Sequence, residues 1–169
     1  MANSEASLEI EEEEEVNGRV VTALYKALSS KDFDEVQRLL APDIEWWFHG
    51  PPNRQHLMRL LTGSSPLSAK DSFHFLPQSV FVFGSTVLVE GYDKESSVSW
   101  VHAWTVADGI VTQLREYLNT SLTVTRFGLS QPISSPAVAS SQSSSANKCQ
   151  SVWQSQLSDK SAPGLVLAL

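Results

Sequence analysis

The sequence predicts an α+β domain in which helices pack on one face of a curved antiparallel sheet. Apolar residues recur at helical spacing through the first third of the chain. From about residue 72 the period changes to two, and the pair Asp108-Gly109 separates two long alternating runs.

Residues 1–15 are polar and acidic without periodicity and read as a disordered tail, the run Glu11 to Glu15 being a solvated stretch. From Val16 the pattern is helical, with Val20, Val21, Leu24 and Leu28 on one face and Arg19, Thr22 and Lys26 on the other. Asp32 is placed to cap a second helix with Glu35 reaching back, and Phe33, Val36, Leu39 and Leu40 give it an apolar stripe that ends at Pro42. "DIEWWFH" reads as a strand closed by the turn Gly50-Pro51-Pro52. "NRQHLMRLLTG" is a third helix with Gly63 at its C-cap. Strands then fit 72–83, 86–92, 97–107 and 110–126. The domain spans 16–129. A Ser/Pro-rich linker follows at 130–148, and a segment richer in Trp and Leu occupies 149–169.

A two-residue turn at Asp108-Gly109 pairs Val106 with Val111, Trp104 with Gln113, His102 with Arg115, Trp100 with Tyr117 and Val98 with Asn119. Alternation places that set on one face, leaving Glu116 on the other, and a bulge would break the specific pairs. Rings interleaved with His, Arg, Tyr and Asn suit a ligand pocket better than a plain core. Opposite a guanidinium, His102 is expected to stay neutral and to act as a hydrogen-bonding group.

A formal charge of −7 argues against nucleic-acid binding, which requires a basic surface. One cysteine, Cys149, excludes an intrachain disulfide. No stretch has the length and apolarity of a membrane span, and the N-terminus lacks a signal-peptide pattern, so an intracellular protein is expected, in the cytoplasm with the nucleus as a further compartment. His49, His56 and His74 show no ligand spacing, so no metal is expected. There is no phosphate loop, dinucleotide fingerprint or nucleophile elbow, and no cofactor is expected.

The segments "EWWFHGPP", "HLMRLLTG", "VLVEG", "WVHAWTV", "DGIVTQLREYLNTSLTVTR" and the final "CQSVWQSQLSD…PGLVLAL" together resemble the plant wound-induced protein family, within the nuclear transport factor 2-like (SnoaL-like) superfamily. The resemblance implies a cone-shaped barrel whose curved sheet wraps a helix-capped cavity and often dimerises through the sheet. It also implies induction by wounding, senescence or other stress, with no established reaction. Its enzymatic relatives commonly hold an Asp at the strand end where this chain has Asn119, and an amide cannot serve as a base.

The expected pocket is lined by Trp46, Trp47, His49, Trp100, His102, Trp104, Arg115, Tyr117 and Asn119. The favoured function is non-catalytic binding of a small apolar ligand or a protein partner in a stress response. A second possibility is an isomerase, cyclase or epoxide hydrolase using Asp43 or Glu45 as acid or base, with Tyr117, Arg115 and His102 as donors. A homodimeric scaffold that presents the C-terminal tail is a third. Glu90 is expected to pair with Arg115 across the sheet. In the tail, Val152, Trp153 and Leu157 suit one side of a short docking helix, while Leu165, Leu167 and Leu169 alternate as a strand adding to an edge would. The same residues form a candidate motif for a protein partner, with docking on the chain's own domain preferred.

Overall fold

The computed structural model of the chain describes residues 2–62, 73–119, 123–124, 152–157 and 165–168. Three helices, α1 (Ala2–Ser30), α2 (Phe33–Leu39) and α3 (His56–Leu61), accompany five main strands, β1 (Leu40–His49), β2 (Ser79–Phe83), β3 (Thr86–Asp93), β4 (Val98–Ala107) and β5 (Ile110–Leu118). The sheet order is β1-β5-β4-β3-β2. The α+β class is as expected, but the sheet is mixed: β1 joins β5 in parallel, while the other pairs are antiparallel. The expected linker, 130–148, lies outside the described residues.

Helix α1 begins at Ala2, not Val16, so the acidic stretch expected to be a tail is helical. Glutamate is a good helix former, so an acidic run can continue a helix that tertiary contacts anchor farther along. Glu15 pairs with Arg19 one turn on. Glu14 accepts from the backbone N–H of Gly84 at 2.7 Å, and Asn17 donates to the Gly84 carbonyl at 3.0 Å, so α1 grips the turn between β2 and β3. Residues 6–13 are exposed, as a solvated run should be. Farther along, Val21, Leu24, Tyr25 and Ala27 are buried and Arg19, Thr22 and Lys26 exposed.

Asp32 caps α2 by accepting from the Glu35 backbone N–H at 3.1 Å. Pro42 does not end that helix; the chain passes directly into β1 at Leu40, and the β1–β5 register breaks between Leu40 and Glu45, around the residue that lacks an N–H. Helix α3 is shorter than expected, with Thr62 at its C-cap, and Gly63 lies outside the described residues. β2 starts only at Ser79, after Pro77, with Gln78 N–H bonded to the Glu90 carbonyl at 2.8 Å. β5 stops at Leu118 because Asn119 turns to a positive φ of 44°.

The inner face packs α1, α2 and α3 against Val87, Val89, Trp100, Trp104, Val111, Leu114 and Leu118. Gly91 lies opposite Trp100, and a Cβ there would collide with the indole and come within 2.6 Å of the Leu76 carbonyl; only glycine lets Trp100 lie so close to β3. The outer face has its own cluster, where Leu88, Val101, Ala103 and Tyr117 are covered by Trp153, Leu165 and Leu167.

Those covering residues come from a second sheet, order β6-β8-β7, made of β6 (Thr123–Val124), β7 (Val152–Gln154) and β8 (Val166–Ala168). The expected helix at Val152 is thus a strand. Alternation explains it: Trp153 faces inward between exposed Val152 and Gln154. β8 is a strand as expected, but it pairs with β6 and β7 and lies over the face of the main sheet instead of extending its edge. Leu169 lies outside the described residues.

Candidate functional site

The turn at Asp108-Gly109 forms with both residues at positive φ, 50° and 75°. Val106 pairs with Val111 as expected, and then the register slips: Thr105 opposes Gln113, leaving Thr112 as the extra residue of a bulge. One inserted residue moves the rest of β5 to the opposite face. His102 consequently faces Glu116, not Arg115, and Trp100 faces Leu118, not Tyr117. The guanidinium is removed from His102 and a carboxylate takes its place.

On the inner face a chain of polar groups results. Trp104, which can only donate, gives its indole N–H to the Tyr25 phenol oxygen at 3.0 Å. Tyr25 Oη lies 2.6 Å from His102 Nδ1, and His102 Nε2 lies 2.6 Å from Glu116 Oε2. The donor and acceptor roles of the two ring nitrogens follow from the tautomer: a proton on Nε2 points to Glu116 and leaves Nδ1 to accept the phenol proton. Tyr25 comes from α1, His102 and Trp104 from β4, and Glu116 from β5. His102 and Glu116 are wholly excluded from solvent. Burial pushes the Tyr25 phenol well above its ordinary value near 10; the Trp104 bond opposes this and the Glu116 charge adds to it.

Rings surround this chain. Phe75 lies 4.9 Å and Trp100 4.6 Å from the His102 ring, centroid to centroid, and Phe75 meets Trp100 edge-on at 5.2 Å. Trp46 and Phe48 of β1 join the same face, 5.7 Å apart, and are only partly buried. Two polar atoms here find no hydrogen-bond partner among the described residues: Glu116 Oε1 and Trp46 Nε1.

The other expected site residues lie on the outer face. Arg115 Cζ sits 5.7 Å from the centre of the Trp47 ring, and His49 stacks on Tyr117 at 4.9 Å, because Trp47 opposes Arg115 and His49 opposes Tyr117 across the parallel β1–β5 pair. Burial, then the nearby Arg115 charge, lowers the pKa of His49; burial raises that of Tyr117 against the opposing effect of Arg115. Trp47 is 48 % exposed.

The three acidic candidates are not on the inner face. Asp43 and Glu45 are exposed, with Glu45 accepting from Gln113 at 2.9 Å. Glu90 is buried on the outer face and does not pair with Arg115. Its carboxylate accepts from Ser79 Oγ at 2.9 Å, Ser155 Oγ at 2.6 Å and the Gln156 backbone N–H at 3.2 Å. Asn119 is exposed and clamps a strand end: its Oδ1 accepts from Ser99 N–H and its own N–H donates to the Ser99 carbonyl, both at 2.8 Å. In the tail Trp153, Leu165 and Leu167 are buried on the domain itself, so they are not presented to a partner in this conformation; Val152 is exposed.

Of the residues expected to line a pocket, Trp46, Trp100, His102 and Trp104 thus lie on the inner face and Arg115, Tyr117, Trp47 and His49 on the outer one, while Tyr25 and Glu116, to which sequence reasoning assigns no role, join the inner group. Tyr25 had a signal, since it stands four residues after Val21 on the apolar helix face. Glu116 had none, because only the bulge brings it inward. Among the described residues no cluster of three or more His, Cys, Asp or Glu could hold a metal ion, and no helix is long and apolar enough to cross a membrane.

The sequence profile of the family described as "Wound-induced protein WI12" matches residues 58–169. Wound-induced protein 1 of Solanum tuberosum is 54% identical over 115 residues, covering 66% of this chain and 100% of its own. Senescence associated gene 20 of Arabidopsis thaliana is 54% identical over 119 residues, with 66% and 100% covered. Among solved structures, Bal32a from a soil-derived mobile gene cassette aligns with a TM-score of 0.50 at 18% identity, covering 63% of this chain and 91% of its own. That likeness concerns the fold alone.

Proposed function

Because this chain belongs to the wound-induced protein WI12 family, we propose that it is a wound- and stress-responsive protein that binds a small apolar ligand on the inner face of its cone, without transforming it. The observation that carries this reading is the buried chain Trp104–Tyr25–His102–Glu116 inside a wall of rings. Burying a carboxylate is costly, and a face built only for packing would be more stable without one. A few fixed polar groups converging on an aromatic wall are what ligand sites use for orientation. The tail supports the same reading from the other side, since it occupies the part of the outer face around Leu88, Val101, Ala103 and Tyr117 with the chain's own residues.

Acid–base chemistry from Asp43, Glu45 or Asn119 has no support, since the first two are exposed and the third is held by Ser99. A second reading, an enzyme of the isomerase, cyclase or hydrolase kind, is favoured by one specific observation. Phenol, imidazole and carboxylate stand in one unbroken line, which is the form of a proton relay.

One experiment addresses both. The full chain is incubated with a panel of small apolar compounds, melting temperature is followed, and bound material is recovered and weighed by mass spectrometry. Binding predicts a raised melting temperature and a compound recovered unchanged. A recovered product of altered mass, or of the same mass but a different chromatographic retention as an isomerisation would give, would overturn the non-catalytic reading in favour of the relay, and a panel without any shift would overturn both.

A further inference from the structure

We infer that the inner face recognises a hydroxyl group carried on an apolar ring, a phenol or an alicyclic alcohol, held between Glu116 Oε1 and Trp46 Nε1; the inference rests on the ligand reading above. Both atoms are buried and without a hydrogen-bond partner among the described residues. They are complementary in kind. A carboxylate oxygen only accepts, and an indole N–H only donates.

The register brings them together. In the parallel β1–β5 pair Trp46 opposes Leu114 and Phe48 opposes Glu116, so Trp46 and Glu116 are diagonal neighbours on one face. Diagonal neighbours in a sheet stand roughly 7 Å apart, within reach of long and aromatic side chains, so one small group can meet both. His102 holds the other oxygen of Glu116 at 2.6 Å, which fixes the carboxylate and keeps Oε1 from turning to a different partner.

Ligand chemistry then separates by what each group can offer. A ketone or ether accepts from Trp46 and gives nothing to Glu116. A carboxylate places a second negative charge beside Glu116, and an ammonium satisfies Glu116 but leaves the indole donor unmatched. A hydroxyl donates to Oε1 and accepts from Nε1 with one atom. The ring that carries it has apolar surroundings: Trp46, Phe48, Leu60, Leu61 and Phe73 border the inner core and are only partly buried, whereas Glu116 lies deeper and is wholly buried. The hydroxyl therefore enters first and the ring rests against the partly buried rim.

The test titrates the full chain by calorimetry with two matched pairs of probes, para-cresol against its methyl ether and naphthol against its methyl ether. Each ether keeps the ring and the acceptor oxygen and carries a methyl group in place of the proton. The phenol of at least one pair should bind about tenfold or more tightly than its ether, the worth of one hydrogen bond to a charged group. In Trp46→Phe, a substitution at a partly buried position that keeps a ring, the phenol should weaken about threefold to tenfold, as for a lost neutral hydrogen bond. In Glu116→Gln, checked for folding by circular dichroism, the preference for phenol over ether should fall. An ether that binds as well as its phenol, or a Trp46→Phe chain that binds the phenol as tightly as before, would overturn the hydroxyl inference while leaving ligand binding intact. No binding by either pair would overturn both.

Discussion

Replacing Leu167 with alanine tests whether the C-terminal segment is part of the folded domain. Leu167 is 0 % exposed and packs with Leu165 and Trp153 on Leu88, Val101, Ala103 and Tyr117. The substitution deletes three carbons, a transfer loss of roughly 2.4 kcal/mol at about 0.8 per methylene, and the cavity left behind raises the expected cost into the range of about 2–5 kcal/mol. There is a ceiling. If the segment can leave the sheet while the rest stays folded, the measured loss cannot exceed its docking free energy, because past that point the variant simply undocks. Urea unfolding of the full chain, followed by tryptophan fluorescence, gives the loss, and the slope m reports whether the cooperative unit has changed. Hydrogen exchange at the Ser155 amide, which donates to the Leu165 carbonyl at 2.9 Å, reports local release. A loss within the full range at constant m means one cooperative unit; a smaller loss with faster Ser155 exchange means a segment that docks separately. Val152→Ala serves as the control, since Val152 is 62 % exposed and should change stability by no more than about 0.5 kcal/mol. A Leu167→Ala chain no less stable than that control, with Ser155 exchange unchanged, would refute the docking described above.

Two further outcomes follow from the site. The Tyr25 phenol is raised in the folded chain, so above the unfolded value near pH 10 the native state keeps a proton that the unfolded state has lost. Stability is therefore full below about pH 10 and falls as pH rises from there toward the folded value; Tyr117 acts in the same direction, and Tyr25→Phe should flatten the greater part of the slope in urea midpoints measured from neutral to alkaline pH. Asn119 combines a positive φ of 44° with a side-chain bond to the Ser99 amide. Asn119→Gly loses only the bond, at about 1 kcal/mol, while Asn119→Ala adds backbone strain and should cost about 1 kcal/mol more; urea unfolding that ranks alanine at or above glycine would contradict this.

Legibility in the sequence followed the range over which each signal acts. Alternation along β4 is local, so Trp100, His102 and Trp104 could be placed together from the sequence alone. The turn is local too, and Asp108-Gly109 behaves as its composition requires. What fails is the relation between strands. The bulge at Thr112 has no compositional mark, because both alternating sets of β5 mix apolar and polar residues: Val111, Gln113, Arg115 and Tyr117 against Thr112, Leu114, Glu116 and Leu118. A single extra residue exchanged Arg115 for Glu116, and with it the whole electrostatic character of the candidate site. The parallel partner of β5 was equally hidden, since nothing in "DIEWWFH" specifies which edge it joins. At the other end, three residues are too few for period to separate helix from strand, and burial of Trp153 against Phe81, 6.2 Å between ring centres, decides the matter for β7.

Two carboxylates buried on opposite faces of the same sheet differ in how their desolvation is offset. Glu90 and Glu116 are both almost completely excluded from solvent, and each therefore carries a desolvation cost that hydrogen bonds must offset. Glu90 does so with three donors shared over both oxygens, from Ser79, Ser155 and Gln156, and so ties β2 and the C-terminal segment to β3. Glu116 has one oxygen on His102 and the other without a partner among the described residues. A purely structural carboxylate in that place would have acquired a second donor or been replaced by an apolar residue, since either change relieves the cost. The same chain thus contains its own comparison: Glu90 is saturated, whereas Glu116, with Oε1 unpartnered among the described residues, stands where the rings of Trp46, Phe48, Phe75 and Trp100 gather.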